Sequence, residues 1–277
     1  MSKKHFLKKE RPIKTQQSKA LGFRNKFKIL FTHIKGPKLF GRFLLKLSLF
    51  LFGPFISVSN PEKIPLVKGD NIVFAFNHNN ALETVSVAST LIFLRGGKLI
   101  SFIIAWMFGK IPMLGIVFNQ INPVYVYSKP SRFGWLNRIN EGIPGWQSVI
   151  DRCKERLSLG MSLGIFPEGV RNRNPKRLRR GKNGIGRLVL QTGIKVLPIG
   201  IDYVRRRRQG VIPSLGRMNF IIGDIMDFSK EVKTYEKVRK SDSDFEGKSA
   251  SMITYQVMMA LSKLCGKSYP YDPPKMD

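Results

Sequence analysis

A histidine and a carboxylate close together in the sequence are the first residues that suggest chemistry. His78 follows an apolar run at residues 71–76 and precedes Glu83 by five residues. A carboxylate beside an imidazole fixes the ring tautomer and stabilises the imidazolium, so this pair would let His78 act as a general base on a hydroxyl. A histidine that caps a turn fits the same local sequence, and the spacing alone leaves both interpretations open.

A second candidate is an arginine-rich loop that follows a predicted strand. The strand at residues 161–166 stops at Pro167, and Gly169 permits a tight backbone turn after it. Residues 171–187 then contain eight basic and no acidic side chains. Because a guanidinium group matches a phosphate bidentately, this loop is a candidate phosphate clamp, with an exposed basic loop as the alternative.

Taken together, these segments resemble the glycerolipid acyltransferase family, which includes the lysophosphatidic acid acyltransferases. The first block of that family is Asn-His, four residues and an acid, which matches Asn77, His78 and Glu83. The family usually has Asp at the last of these positions. The third block, Phe-Pro-Glu-Gly-Thr/Val-Arg-Ser/Asn, closely matches residues 166–172, and the fourth, a Val-x-Pro strand, matches residues 196–199.

The second block is where the sequence departs from the family. The family ends a strand here with an arginine that binds the acceptor's phosphate, but Ser128 stands in that place after the strand-like run 124–127. Lys129 or Arg132 would substitute for the missing arginine. The resemblance spans roughly residues 60 to 225, and this departure leaves the identity of the acceptor open.

The resemblance implies transfer of a fatty acyl group to the hydroxyl of a lysophospholipid, in phospholipid biosynthesis. The donor would be acyl-CoA or acyl-carrier protein, and 1-acyl-sn-glycerol-3-phosphate is the default acceptor. His78 would be the base and Glu83 its orienting carboxylate, with no metal and no cofactor. Arg171 would bind phosphate, while Glu168 and Gly169 would hold the loop in shape, Glu168 also being able to contact the acceptor.

Other outcomes stay open within this resemblance. The acceptor could instead be glycerol-3-phosphate, another lysophospholipid or a lipid alcohol. A non-catalytic membrane-surface protein on the same fold is a further alternative, since a fold by itself does not establish an activity.

Positioning these residues requires alternating strands and helices. Strand-like runs occur at residues 71–76, 99–105, 124–127, 161–166, 195–201 and 218–222. Helical patterns occur at residues 82–94, 141–159, 184–192 and 248–264. This alternation predicts an α/β fold, a single domain with a mixed, largely parallel sheet flanked by helices.

The N-terminal region differs in composition from the rest. The first 40 residues contain 12 Lys and Arg against one acidic residue, and residues 39–58 are strongly apolar. This apolar run is short for a spanning helix, so its basic flank favours membrane-associating helices in the interface of an anionic membrane, on the cytoplasmic face. A helix packed on the core is the alternative. We therefore divide the chain into 1–60, a basic arm with a membrane-associating segment, and 61–277, the acyltransferase domain.

The overall charge fits such a partner. With 48 Lys and Arg against 18 Asp and Glu, the formal net charge is +30, while 43% hydrophobic residues exclude a disordered basic protein. The run 205–208 is four arginines, yet no nucleic-acid-reading motif accompanies it, so nucleic acid is not the expected partner. Between residues 99 and 128 the only charge is Lys110, which fits an acyl groove or ordinary core.

Overall fold

The computed structural model describes residues 19–20, 38–64, 71–80, 82–111, 114–127, 134–138, 146–203, 216–238 and 243–274. Its strands are β1 (Lys19–Ala20), β2 (Ile56–Ser59), β3 (Val73–Phe76), β4 (Ile100–Ala105), β5 (Val124–Val126), β6 (Ser162–Ile165), β7 (Val196–Tyr203) and β8 (Met218–Ile222). Its helices are α1 (Leu39–Phe52), α2 (Leu82–Leu94), α3 (Met107–Lys110), α4 (Leu114–Asn119), α5 (Gly134–Arg138), α6 (Trp146–Ser158), α7 (Gly184–Thr192), α8 (Ser229–Val238) and α9 (Ser243–Cys265).

The described strands form one sheet in the order β1-β2-β8-β7-β3-β6-β4-β5. Strand β1 is antiparallel to β2 and β8 is antiparallel to β7, whereas the other neighbouring pairs are parallel. Strands β3 and β6 are buried at every position, as expected for strands that helices cover on both faces. The prediction of an α/β fold with a mixed, largely parallel sheet is confirmed.

Alternation along the central strand divides the core into two layers. Phe74 and Phe76 of β3 point to the layer that contains the apolar residues of α1 and α2. Val73 and Ala75 point to the opposite layer, which α6, α7, α8 and α9 cover. The site residues at the end of β3 are therefore carried by a strand that packing fixes from both sides.

The apolar run at residues 39–58 is not one helix. Helix α1 ends at Phe52, a 3-10 turn that contains Pro54 covers Gly53–Phe55, and the next four residues form β2. The expectation of a single membrane-associating segment is wrong for residues 56–58, because these residues pair with β8 inside the sheet. The domain division at residue 60 stays a prediction, although β2 lies before that boundary.

Helix α1 is apolar on two sides. Leu45 and Leu49 are buried in the core, and Ser48 accepts a hydrogen bond from Ser89 of α2 at 2.8 Å. The outer side exposes large apolar side chains, namely Leu39, Phe40, Phe43, Leu47, Phe50 and Leu51. Among the helices that the structure describes, none combines the length and the apolar composition needed to cross a bilayer.

A close contact between α7 and α9 gives a test of this packing. A Cβ atom on Gly186 would lie 1.9 Å from the backbone carbonyl oxygen of Ala250, so Gly186→Ala must push the helices apart. We expect the free energy of unfolding to fall by about 1–3 kcal/mol, measured by urea denaturation.

The matched control is Gly247→Ala in α9, where an added Cβ meets nothing within 4 Å. This variant should be neutral or should gain up to about 1 kcal/mol from helix propensity. Equal stability of the two variants would contradict the close packing of α7 on α9.

Candidate active site

His78 lies in the loop that joins the carboxyl end of β3 to α2, at the centre of the sheet. Asn77 holds this loop to β7, since its side-chain amide donates to the Ile201 carbonyl at 3.0 Å and its Oδ1 accepts from the Ile201 N–H at 2.7 Å. The Phe166 ring packs against the imidazole with 4.3 Å between ring centroids. The imidazole is thus placed at a strand end, where α/β sheets commonly bind ligands.

Glu83 is fully buried and receives hydrogen bonds from five donors. Its Oε2 lies 3.2 Å from His78 Nδ1 and accepts from the backbone N–H groups of Asn79 at 2.6 Å and Asn80 at 3.1 Å. Its Oε1 accepts from Asn79 Nδ2 at 2.7 Å and from the Tyr203 hydroxyl at 3.1 Å. Glu83 also lies in the first turn of α2, where the helix dipole favours a negative charge.

The predicted pairing of His78 with Glu83 is present in this geometry. A carboxylate at Nδ1 favours the tautomer with a proton on that nitrogen, which leaves Nε2 to accept a proton from a substrate. The His78 side chain is 15% exposed, so a substrate can reach it, whereas Glu83 is shielded from solvent. The arrangement can therefore perform general-base chemistry on a hydroxyl.

Tyr203 reinforces this pair from the neighbouring strand. Burial, together with the adjacent Glu83 carboxylate, raises the pKa of Tyr203. Its hydroxyl therefore stays protonated and continues to donate to Glu83 across the physiological pH range. Tyr203 also accepts a hydrogen bond from Asn80 Nδ2, so the loop is tied to β7 a second time.

Glu168 joins the arginine-rich loop to the histidine loop. Its Oε1 accepts from the His78 N–H at 3.0 Å, and its Oε2 accepts from Asn172 Nδ2 at 2.7 Å and the Arg179 N–H at 2.8 Å. The Asn172 N–H donates in turn to the His78 carbonyl at 2.7 Å. The peptide groups on both sides of His78 are therefore held by residues 168–172.

The environment of Glu168 fits a structural task. The carboxyl group is 2% exposed. Its pKa is raised, because burial outweighs the lowering by the hydrogen bonds from Arg179, His78 and Asn172 and by the charge of Lys267. Both oxygens are occupied by donors of the chain, which supports the predicted role of holding the loop. A direct contact with the acceptor stays a prediction.

Gly169 makes the turn that the loop requires. Its φ is +65°, in the left-handed region, and its N–H donates to the Phe166 carbonyl at 2.9 Å. An added Cβ would lie 2.8 Å from Lys182 Cδ, but this exposed side chain can move aside, so a side chain at residue 169 is disfavoured mainly by the backbone conformation.

The basic side chains after this turn surround a cavity. It has a volume of about 670 Å³ and reaches Glu168, and its basic and aromatic lining consists of Arg173, Arg177, Arg179, Arg180 and Tyr271. Arg171, the arginine predicted to bind phosphate, is exposed and does not line this cavity. The loop therefore presents arginines in two places, and the role of Arg171 stays a prediction.

Two other predicted ligands cannot be placed. Lys129 and Arg132, which were candidates for the missing second-block arginine, lie outside the described residues, as do Ser128 and the arginine run 205–208. The described chain before this gap ends at Tyr127, whose ring stacks on Trp106 with 6.1 Å between centroids.

Several contributors to the site were not predicted. Asn79 and Tyr203 bind Glu83, and the Lys267 ammonium donates to Asn79 Oδ1. The sequence offered a signal for two of them, because Asn79 directly follows His78 and Tyr203 comes shortly after the predicted fourth block. Lys267 follows the last helix, and nothing in its local sequence points to the site.

The cysteines are poor nucleophiles in this fold. Both Cys153 and Cys265 are buried free thiols. Burial raises the pKa of Cys153 to about 12 and that of Cys265 to about 11, so neither is a thiolate near neutral pH. Within the part of the chain that the structure describes, no group of three or more His, Cys, Asp or Glu side chains could hold a metal ion.

Comparisons with known proteins point to one family. A family model described as acyltransferase matches residues 55–202. The 1-acyl-sn-glycerol-3-phosphate acyltransferase of Borreliella burgdorferi is 28% identical over 162 residues, which cover 57% of this chain and 55% of that protein. The match thus spans about half the length of that relative.

A solved structure is similar in fold. The crystal structure of the 1-acyl-sn-glycerophosphate acyltransferase PlsC from Thermotoga maritima aligns with a TM-score of 0.50 and 20% identity. The alignment covers 85% of this chain and 86% of that chain. At this identity the likeness concerns the fold.

The His78–Glu83 pair gives a test of the chemistry implied by the sequence resemblance. Replacing His78 with Ala removes the proposed base and should lower the rate of acyl transfer by about 10²–10⁴-fold, measured with a labelled thioester donor. Glu83→Gln should cause a loss of similar order. The glutamine NH2 group would face the N–H and O–H groups that now donate to Glu83, and the neutral amide would no longer balance the charge of the imidazolium.

Tyr203→Phe is the matched control, since it removes one donor to Glu83 without removing the charge. Its rate should fall less than about 10-fold. Near-normal turnover of the His78 variant would exclude this residue as the base.

Proposed function

Because the chain belongs to the acyltransferase family, we propose that it moves a fatty acyl group from a thioester donor to the hydroxyl of a lysophospholipid. The acceptor we propose first is 1-acyl-sn-glycerol-3-phosphate, and the donor is acyl-CoA or acyl-carrier protein. The observation that carries this proposal is the His78–Glu83 pair. The loop that contains His78 is hydrogen-bonded to the arginine-rich loop through Glu168. A base beside a basic cavity suits an acceptor that carries both a hydroxyl and a phosphate.

The reaction follows from the positions of these groups. The His78 Nε2 atom takes the proton of the acceptor hydroxyl while that oxygen attacks the thioester carbonyl carbon. Glu83 balances the positive charge that the imidazole gains. The carbon–sulfur bond then breaks, and the leaving thiolate takes the proton back from the imidazolium, so His78 returns to its starting state.

An apolar groove between α1 and α2 supports a fatty acyl substrate. It has a volume of about 60 Å³ and is lined mainly by apolar side chains of α1, α2 and the chain after α2, including Leu44, Leu45, Val85, Ile92, Phe118 and Ile121. It reaches Thr84, the neighbour of Glu83 in α2. We propose that a few carbons of the acyl chain lie here. Leu99 and the residues near 118–121 come from the stretch that the sequence analysis assigned to an acyl groove or to ordinary core.

The outer side of α1 supports membrane association at the cytoplasmic face. Leu39 is 83% exposed and Phe43 is 59% exposed, and these side chains lie beside the basic residues Lys38, Arg42 and Lys46. Exposed apolar side chains with a basic flank favour binding in the interface of an anionic membrane. We propose that α1 lies on the membrane surface with its inner side on the core.

An acceptor and donor panel tests the proposed activity. Purified chain with mixed lipid vesicles is offered labelled acyl-CoA or acyl-carrier protein and a set of acceptors: 1-acyl-sn-glycerol-3-phosphate, glycerol-3-phosphate, other lysophospholipids and a lipid alcohol. Products are identified by mass spectrometry. Transfer to 1-acyl-sn-glycerol-3-phosphate is the expected result, transfer only to another acceptor would replace it, and lipid binding without turnover would favour a non-catalytic surface protein.

Arg171→Ala examines phosphate recognition in the same assay. Loss of a charged hydrogen-bond donor should raise the KM for a phosphorylated acceptor by about 10-fold or more. Arg217→Ala is the matched control, because Arg217 is also exposed but lies just before β8. An unchanged KM for the Arg171 variant would place the phosphate elsewhere, with the arginine-lined cavity as the next site to test.

Vesicle binding tests the membrane proposal. Replacing Phe43 and Leu47 with Ser should weaken co-sedimentation with anionic vesicles, while Leu159→Ser, which alters an exposed leucine after α6, should not. High salt should release the parent chain only partly, because the apolar contact remains when charge is screened. Complete release at moderate salt would mean that charge is the sole anchor.

A further inference from the structure

Lys267 is a buried lysine that reaches the site from the end of the chain. Helix α9 ends at Cys265, Gly266 turns the chain with a φ of +62°, and the Lys267 N–H donates to the Ser262 carbonyl at 3.2 Å. The Lys267 residue is only 3% exposed. A lysine is almost never this buried unless its ammonium group has partners, so its position calls for an explanation.

The backbone around Lys267 is fixed on the far side as well. Ser268 pairs with the arginine-rich loop, because its N–H donates to the Lys176 carbonyl and its carbonyl accepts from the Leu178 N–H, both at 2.9 Å. Lys267 therefore stands between a helix end and a bridge to the loop that contains Glu168. Its side chain has a defined direction, towards the histidine loop.

The contact that Lys267 makes leads to the catalytic pair through one residue. Its ammonium group donates to Asn79 Oδ1. The same Asn79 side chain donates through Nδ2 to Glu83 Oε1 at 2.7 Å, and the Asn79 N–H donates to Glu83 Oε2 at 2.6 Å. Because the Lys267 ammonium binds Asn79 Oδ1, the Asn79 Nδ2 group must point at the Glu83 carboxylate. The orientation with the amide oxygen and nitrogen exchanged is thereby excluded.

Charge gives Lys267 a second effect. Glu83 and Glu168 are both buried carboxylates next to His78, and Lys267 is a buried cation in the same region. Among the described residues, the charged or titratable groups near the histidine loop include Glu83 on α2, Glu168 after β6, Arg173 in the arginine-rich loop, Asp202 and Tyr203 on β7, Cys265 at the end of α9, and Lys267. Two uncompensated carboxylates would favour the protonated imidazole, which cannot act as a base.

We propose that Lys267 is a positioning residue for the acyl-transfer base: it orients Asn79 on Glu83 and offsets the negative charge that surrounds His78. This inference rests on the proposed function, because it assigns a role within the same reaction. It also makes the segment after α9, which lies outside the matched residues 55–202, part of the site.

Three substitutions separate the two effects. Lys267→Met removes both contact and charge and should lower kcat by about 10- to 100-fold. It should also move the acidic limb of the kcat/KM–pH profile to higher pH, since the imidazole loses a neighbouring cation. Lys267→Gln restores a donor to Asn79 and should recover part of kcat but keep the shifted limb, while Lys267→Arg should restore the position of the limb.

Lys263→Met is the matched control, because Lys263 is exposed in the last turn of α9. It should leave kcat, the pH profile and stability unchanged. Urea denaturation of each variant shows whether it is folded under assay conditions. A folded Lys267→Met variant with the kcat and pH profile of the parent would overturn the proposal, as would a loss of activity with an unmoved pH profile in both Lys267→Met and Lys267→Gln.

An NMR titration separates failure of this inference from failure of the proposed function. The chain contains three histidines, so the His78 imidazole signal can be assigned by comparison with the His78→Ala variant. In Lys267→Met this signal should titrate at higher pH than in the parent, whether or not acyl transfer is detected. An unchanged titration midpoint would overturn the role of Lys267, whereas a shifted midpoint in a chain that transfers no acyl group would leave that role standing and reject only the reaction.

Discussion

The site depends on one constraint, that the peptide groups on both sides of His78 are held by a second loop. The His78 N–H is held by the Glu168 carboxylate, and its carbonyl by the Asn172 N–H. A loop residue with free peptide groups would sample many orientations, and fixing it costs conformational entropy that these hydrogen bonds offset. The position of the imidazole is thus determined by residues that lie 90 or more positions away in the sequence.

The sheet makes this constraint possible. Parallel strands β7, β3 and β6 are adjacent at the centre, so the segments that follow β3 and β6 leave the sheet at the same edge. Asn77 then ties the first segment to β7 at Ile201. Two buried carboxylates are tolerated there because each accepts several N–H or O–H donors, which replaces the water that a carboxylate loses on burial.

Features with a local cause could be predicted from the sequence. Helix α7 was predicted with its observed limits, since apolar periodicity marks its length and Gly193 adopts the left-handed conformation that ends it. The pairing of His78 with Glu83 is likewise local, because a strand end followed by a helix start brings the two side chains together. The split of the N-terminal apolar run was missed, although Pro54 and the β-branched Ile56 and Val58 were signals for it.

Features set by contacts between distant segments could not be predicted. The arginine-rich loop has many similar side chains, and only the folded chain shows that Arg173 faces the cavity whereas Arg171 does not line it. Lys267 is a comparable case, since a lysine after a helix is ordinarily exposed. Its burial follows from Gly266 turning the chain, which a glycine after a helix does indicate, and from Ser268 pairing with the loop, which has no signature in the local sequence.

The Gly186–Ala250 contact bears on how natural variation in this chain should be interpreted. Helix α9 extends from this contact to Cys265, about 22 Å at 1.5 Å per residue, and Lys267 stands two residues beyond its end. If the helix moves as one body, a displacement at Ala250 also displaces the Lys267 ammonium group beside Asn79. A substitution at Gly186, which lies in a helix that carries none of the site residues, would be expected to emerge in a genetic screen among the alleles that reduce catalysis.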